Sequence, residues 1–202
     1  DNEIFFDIGA NIGLYSIYFA KMKNNLCYAF EPSVFNVAQI SKNISINKLE
    51  KKVYLITNPL SKNNSFANFI SSDTEEGGAL NAFGVEHGFD GKPIKKSIEF
   101  NLLGLSIDFI IKSGLIKDIP TMIKIDVDGI EYLILEGAKQ TLSRDECKTI
   151  YIEVNENFKD SSIKTNQILL DCGFKLKEKK QSDMFGNSNN FRNTFNQIWI
   201  KK

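Results

Sequence analysis

Short apolar runs separated by segments of helical period constrain this chain more than any other feature. Ile4–Ile8, Leu26–Phe30, Val53–Ile56, Met122–Ile125 and Thr149–Val154 are brief, nearly continuous apolar stretches, as strands covered on both faces should be. Between them the pattern predicts helices from Gly13 through Met22, from an N-cap at Ser33 to about Ile46, from Gly129 to about Leu142, and over Thr165–Cys172, with Gly173 as the terminating residue. Strands alternating with helices give a doubly wound, Rossmann-like α/β sheet, mostly parallel, with helices on both faces. Phe174–Lys180 and Gln197–Ile200 read as two further strands joined by a polar, Asn-rich loop, so they are placed as an antiparallel edge. From Lys62 to Leu105 the period fades and glycines at 77, 78, 84, 88 and 91 punctuate the chain, which reads as an insertion or lid.

Composition excludes several classes. With 202 residues the chain is sized for one domain, taken as 1–202. Lys+Arg and Asp+Glu both number 25, giving a net charge of zero, so no general attraction to nucleic acid or an anionic membrane is expected. No apolar run reaches the ~18 residues of a spanning helix, and no signal-peptide pattern opens the sequence. Cys27, Cys147 and Cys172 are too few and too scattered for a disulfide framework or a CxxC metal site. The expectation is a reduced, cytoplasmic protein.

The sharpest local signal is the run Asp7-Ile8-Gly9-Ala10-Asn11-Ile12-Gly13 between a strand and a helix. Its glycines allow a tight turn that brings main-chain N–H groups at a helix N-terminus close to a ligand. Asn11 stands where the dinucleotide fingerprint has its second glycine, which favours a mononucleoside ligand over a pyrophosphate. Glu31 ends the next strand, 22 residues after Gly9, where a carboxylate can accept from both hydroxyls of a ribose. A third cluster, Asp126, Asp128 and Glu131, lies at the carboxyl end of the fourth strand, the edge where open α/β sheets bind ligands. Glu131 reads as an acid placed to suit a helix dipole, Asp126 as functional. Glu153 interrupts an apolar strand, where a charge is costly unless it is used or paired.

The runs FFDIGANIGLYS, YAFEPS, LLGLSIDFIIKSG, IKIDVDGIEYLILEGA and IYIEVN, in this order and spacing, resemble the FkbM-type family of S-adenosylmethionine-dependent methyltransferases. The resemblance implies a class I methyltransferase fold, a seven-stranded sheet whose last strand is antiparallel, and commonly O-methylation of sugar or natural-product hydroxyls. It implies Asp7, Gly9, Ala10, Asn11 and Gly13 around the methionine and ribose of the cofactor. Glu31 would take the ribose diol, with Pro32 and Ser33 beside the adenine, and Asn58 through Ser61 against the adenine edge. Asp126 would face methyl donor and acceptor. Two positions depart from the family pattern: Asp128 stands where Glu is usual, and Asn155 where His is frequent. Such enzymes commonly carry helices ahead of the first strand, so the chain is expected to be a piece of a longer protein.

The mechanism expected is displacement at an activated methyl, with Asp126 as the first candidate base and Glu153 the second. S-adenosylhomocysteine is the corresponding product. A small-molecule or saccharide acceptor is expected. A divalent metal on Asp126, Asp128 and Glu153 is conceivable but not favoured. His87, the one histidine, reads as a loop residue, Arg192 as solvated or gripping an anionic acceptor, and Tyr15, Tyr18 and Phe19 as core packing. A nicotinamide oxidoreductase and a non-catalytic cofactor-binding module remain as alternatives.

Overall fold

In the computed structural model, which describes residues 3–22, 25–181, 191 and 193–201, the alternating pattern closes into one sheet. In chain order the elements begin β1 (Ile4–Ile8), α1 (Leu14–Lys21), β2 (Leu26–Phe30), α2 (Val34–Ile46) and β3 (Val53–Ile56). Three strands follow, β4 (Ser65–Ser71), β5 (Ala82–Phe83) and β6 (Ile98–Gly104), and then α3 (Ile107–Lys112). The chain continues through β7 (Met122–Ile125), α4 (Glu131–Glu136), α5 (Lys139–Leu142), β8 (Thr149–Asn155), α6 (Lys159–Asp171), β9 (Lys175–Lys180) and β10 (Thr194–Ile200).

The seven-stranded sheet has the order β3-β2-β1-β7-β8-β10-β9. The pairs from β3 to β8 are parallel, and β10 runs antiparallel to both neighbours. The class I order with an antiparallel last strand is therefore present. The terminal pair forms the expected antiparallel edge, with β10 inserted between β8 and β9 and β9 outermost. Every residue of β9 is exposed, and its lysines guard that free edge against further pairing.

Period two sorts β1 between two cores. Phe6 and Ile8 join Phe30, Ile123, Ile125 and Ile152 on one face, while Phe5 joins Cys27, Ala29 and Ile40 on the other. The strand order reverses on either side of β1, so the carboxyl ends of β1 and β7 form a topological switch point.

The 62–105 region is more ordered than its sequence suggests. β4, β5 and β6 form a separate antiparallel sheet, β5-β4-β6, whose inner face packs Phe69 and Phe83 against Ile130. Its outer face leaves Phe66 and its cross-strand partner Leu103 exposed, which blurs the alternation that would mark it as strand. Gly104 is required at the end of β6, because a Cβ there would lie 2.3 Å from the Phe83 ring.

The helices also differ in detail. The expected Gly129–Leu142 helix is two short ones, broken at Gly137, where a Cβ would come within 2.4 Å of the Ser61 carbonyl oxygen. α3 was not anticipated; Ser106 caps it by accepting the Phe109 N–H at 3.3 Å. α6 starts at Lys159, several residues before Thr165. Phe19 packs on Phe5 with ring centroids 4.7 Å apart, but Tyr15 and Tyr18 are 47% and 66% exposed and not core. Half-buried His87 bridges to Pro93 and meets the Phe158 ring edge-on. Arg192 lies outside the described residues. Among the described residues no helix is long and apolar enough to cross a membrane.

Candidate active site

A cavity of about 510 Å³ opens at the switch point, across the carboxyl ends of β1, β2, β7 and β8. That volume suits a drug-sized ligand. The turn after β1 shapes its near wall, with Gly9, Asn11 and Gly13 at φ of +75°, +51° and +86°. Gly9 is fixed by contact as well as by torsion: a Cβ would sit 1.9 Å from the Asp126 carbonyl oxygen, so the ends of β1 and β7 approach to a distance only glycine permits. The N–H groups of Gly9 and Ala10 donate to the Phe30 carbonyl, tying the turn to β2.

Glu31 is 4% exposed yet lines the cavity. Its two oxygens accept the N–H groups of Asn11 (2.7 Å) and Ser33 (2.9 Å). Burial pushes its carboxyl above the usual range, and these N–H donors pull the other way. Each oxygen keeps a second lone pair for a ligand hydroxyl.

Of the residues singled out by sequence, the structure brings Gly9, Asn11, Glu31, Pro32, Asn58, Asp126 and Glu153 to the cavity wall. Asp7, Ala10, Gly13, Ser33 and Ser61 do not line it. Asp7 lies behind the wall, fully buried, accepting from Ser16 Oγ at 2.6 Å. Gly13 lets α1 close on α2, since a Cβ there would meet Ile40 at 2.6 Å. Ser33 and Ser61 act through backbone N–H groups, to Glu31 and to the Leu105 carbonyl.

Sequence reasoning missed Lys124. Register places Asp7, Lys124 and Tyr151 side by side on β1, β7 and β8. The ammonium is 3.3 Å from Asp126 Oδ2, 3.5 Å from Asp7 Oδ1 and 3.3 Å from the Gly9 carbonyl oxygen, with the Tyr15 ring at 5.2 Å. It donates to the Gly9 carbonyl and lies within ion-pair reach of both carboxylates. Burial would lower its pKa, but the carboxylates of Asp126 and Asp7 outweigh that and hold it above its ordinary value. The signal was available: a lysine two residues before Asp126, inside an apolar strand, invites the same question as Glu153.

The far wall gathers acids. Asp128, at φ +61°, accepts the Asn81 N–H at 3.2 Å; burial, with the nearby Asp126 charge, pushes it up to about 7. Glu131 accepts the Gly129 N–H at 3.1 Å and is pushed up to about 7, mainly by burial. It sits at the start of α4 as read from sequence, but it also faces Glu153 across a small polar cavity. Burial, then the charges of Asp126, Glu131 and Asp128, push Glu153 up to about 8. The Asp126 side chain is 40% exposed. Among the described residues no group of three or more His, Cys, Asp or Glu could hold a metal ion.

The mostly parallel sheet with one reversed strand and a cleft at its switch point has the arrangement of class I methyltransferases. The chain belongs to the FkbM methyltransferase family, whose domain matches residues 7–176. A crystal structure of methyltransferase FkbM from Methylobacillus flagellatus superposes with a TM-score of 0.61 at 16% identity, over 98% of this chain and 43% of that one. The chain therefore spans less than half the length of that relative. An rRNA methylase from Streptococcus thermophilus gives 0.57 at 13% identity, over 100% and 87% of the two chains. Fibrillarin from Aeropyrum pernix, with natively bound S-adenosyl-L-methionine, gives 0.56 at 10% identity, over 98% and 66%. No curated protein sequence matches. The residues present fit S-adenosylmethionine: Glu31 offers free lone pairs at the wall, and the cavity is roomy and largely apolar beside Ile8, Phe30 and Leu60.

Proposed function

We propose that the chain methylates a hydroxyl of a saccharide or another small natural product. The observation that carries this reading is the placement of a half-exposed carboxylate, Asp126, in the same cavity as Glu31 and the β1 turn. In this reading Glu31 takes the ribose hydroxyls, Pro32 and Asn58 flank the adenine, and Asp126 faces the reacting centre. S-adenosylmethionine supplies a methyl already activated on a sulfonium. Asp126 accepts the proton of the acceptor hydroxyl as that oxygen bonds to carbon. Lys124 stays behind Asp126 and holds one of its oxygens, leaving the other toward the cleft. Glu153, with its raised pKa, carries a proton near neutral pH and suits orienting the acceptor by hydrogen bond better than taking its proton.

The acid-lined mouth supports a neutral acceptor over a nucleic acid. Glu31, Asp126, Asp128 and Glu153 line the cavity, while the neighbouring ammonium of Lys124 is buried and engaged. A polyphosphate would meet repulsion there, with no Lys or Arg among the described residues lining the cavity to offset it.

The test is transfer of labelled methyl from S-adenosylmethionine to a panel of saccharides and small polyols, with RNA as the contrasting acceptor. Asp126→Asn should keep S-adenosylhomocysteine affinity within a few-fold and slow transfer by about 10²-fold or more. Equal transfer by variant and parent removes Asp126 as base. Methyl incorporated into RNA alone overturns the acceptor class.

A further inference from the structure

A glycine-rich strap crosses the mouth of the cleft. Gly78, Ala79, Leu80 and Asn81 line the cavity, and Gly77 and Leu80 bend the chain at φ of +84° and +60°. Asn36, in the first turn of α2 and 1% exposed, uses both ends of its amide on this strap. Its Oδ1 accepts the Gly77 N–H at 2.9 Å, and its Nδ2 donates to the Gly78 carbonyl at 3.0 Å. The Asn11 side chain donates to the carbonyls of Gly77 and Gly78, each at 3.2 Å. Further along, Asp128 accepts the Asn81 N–H.

These contacts converge on Glu31. Asn11 gives that carboxylate its backbone N–H, and the Asn36 side chain stands close enough to hold the carboxyl below where burial alone would put it. The residues that grip the strap therefore also set the acid at the cofactor wall. A buried amide whose partners are the strap's own backbone makes closure and opening discrete states, because opening leaves that amide buried and unpaired.

We propose that Asn36 is a positioning residue for the cofactor, latching the 77–81 strap over the cleft so that a nucleoside seated on Glu31 leaves only when the latch opens. This rests on the reading of Glu31 as the ribose acid. Closure then governs the exit rate, and the nucleoside in turn steadies the strap through Glu31.

The test uses S-adenosylhomocysteine and needs no acceptor. Its dissociation rate from the parent and from Asn36→Ala is measured by surface plasmon resonance. Loss of two hydrogen bonds of ordinary net strength should speed dissociation about ten-fold or more, with association changed little. In the parent alone, amide hydrogen exchange is followed with and without S-adenosylhomocysteine. The 77–81 amides should slow about ten-fold on binding while 86–96 stay unchanged. A merely structural Asn36 lowers the melting temperature and leaves the dissociation rate alone, which overturns the proposal, as does strap exchange indifferent to ligand. If Asn36→Ala does not fold, the parent exchange result decides. Absence of binding to the parent overturns the reading of the site itself, separately from the latch.

Discussion

Lys124 shows how one side chain can hold a strand end together. Its ammonium is the counter-ion of Asp7, which is wholly buried and whose Oδ1 has no hydrogen bond, only the charge contact at 3.5 Å. Lys124→Met should therefore cost about 3–5 kcal/mol in urea unfolding, because it strands a buried carboxylate. Lys124→Met with Asp7→Asn should recover much of that. A single variant within about 1 kcal/mol of the parent would contradict this account. The acids of the far wall give a pH prediction. Asp128, Glu131 and Glu153 sit at about 7, 7 and 8 in the folded chain, above their ordinary values of 3.8, 4.5 and 4.5. The folded state thus binds these protons more tightly than the unfolded one. Their contribution is fully present below about pH 4 and is lost as pH rises toward 8. The unfolding free energy of the cofactor-free protein should fall between pH 5 and 8, and Glu153→Gln should make that fall shallower. A parent profile flat across this window would contradict it. At this scale the sequence revealed residues whose type was out of place, such as Glu153 in an apolar strand. Lys124 carried the same mark, but a lysine is so often a solvated surface group that it passed unread.

Elements were legible in proportion to how fully the sheet buries them. The central strands β1, β2, β7 and β8 are apolar because both faces are covered, and their bounds match the sequence reading to within a residue. The β4–β6 sheet has one face on Ile130 and the other in water, and polar residues such as Asn68 and Asn101 sit opposite each other across it. A short run of this kind does not separate from loop by period alone. The break between α4 and α5 was likewise hidden, because it comes from the close passage of Gly137 by Ser61, a tertiary contact. The strap belongs with these. Its glycines were visible in the sequence, whereas its partner Asn36 looked like any polar residue in the first turn of a helix.

For the whole molecule, strand order does the most to create the site. Reversal at β1 opens the cleft, Gly9 brings β7 close enough to set Asp126 beside the turn, and parallel register carries Lys124 between Asp7 and Tyr151. None of this depends on which acceptor enters. The most direct measurement is thermal unfolding with S-adenosylmethionine, S-adenosylhomocysteine and NAD, each near 100 times the dissociation constant sought. A ligand bound only by the folded state then contributes about 2.7 kcal/mol, which raises the melting temperature of a chain this size by about 5–10 °C. A rise with both sulfur nucleosides and none with NAD is the predicted result. A rise with NAD alone, or none with any of the three, would contradict the assignment of this cleft to S-adenosylmethionine.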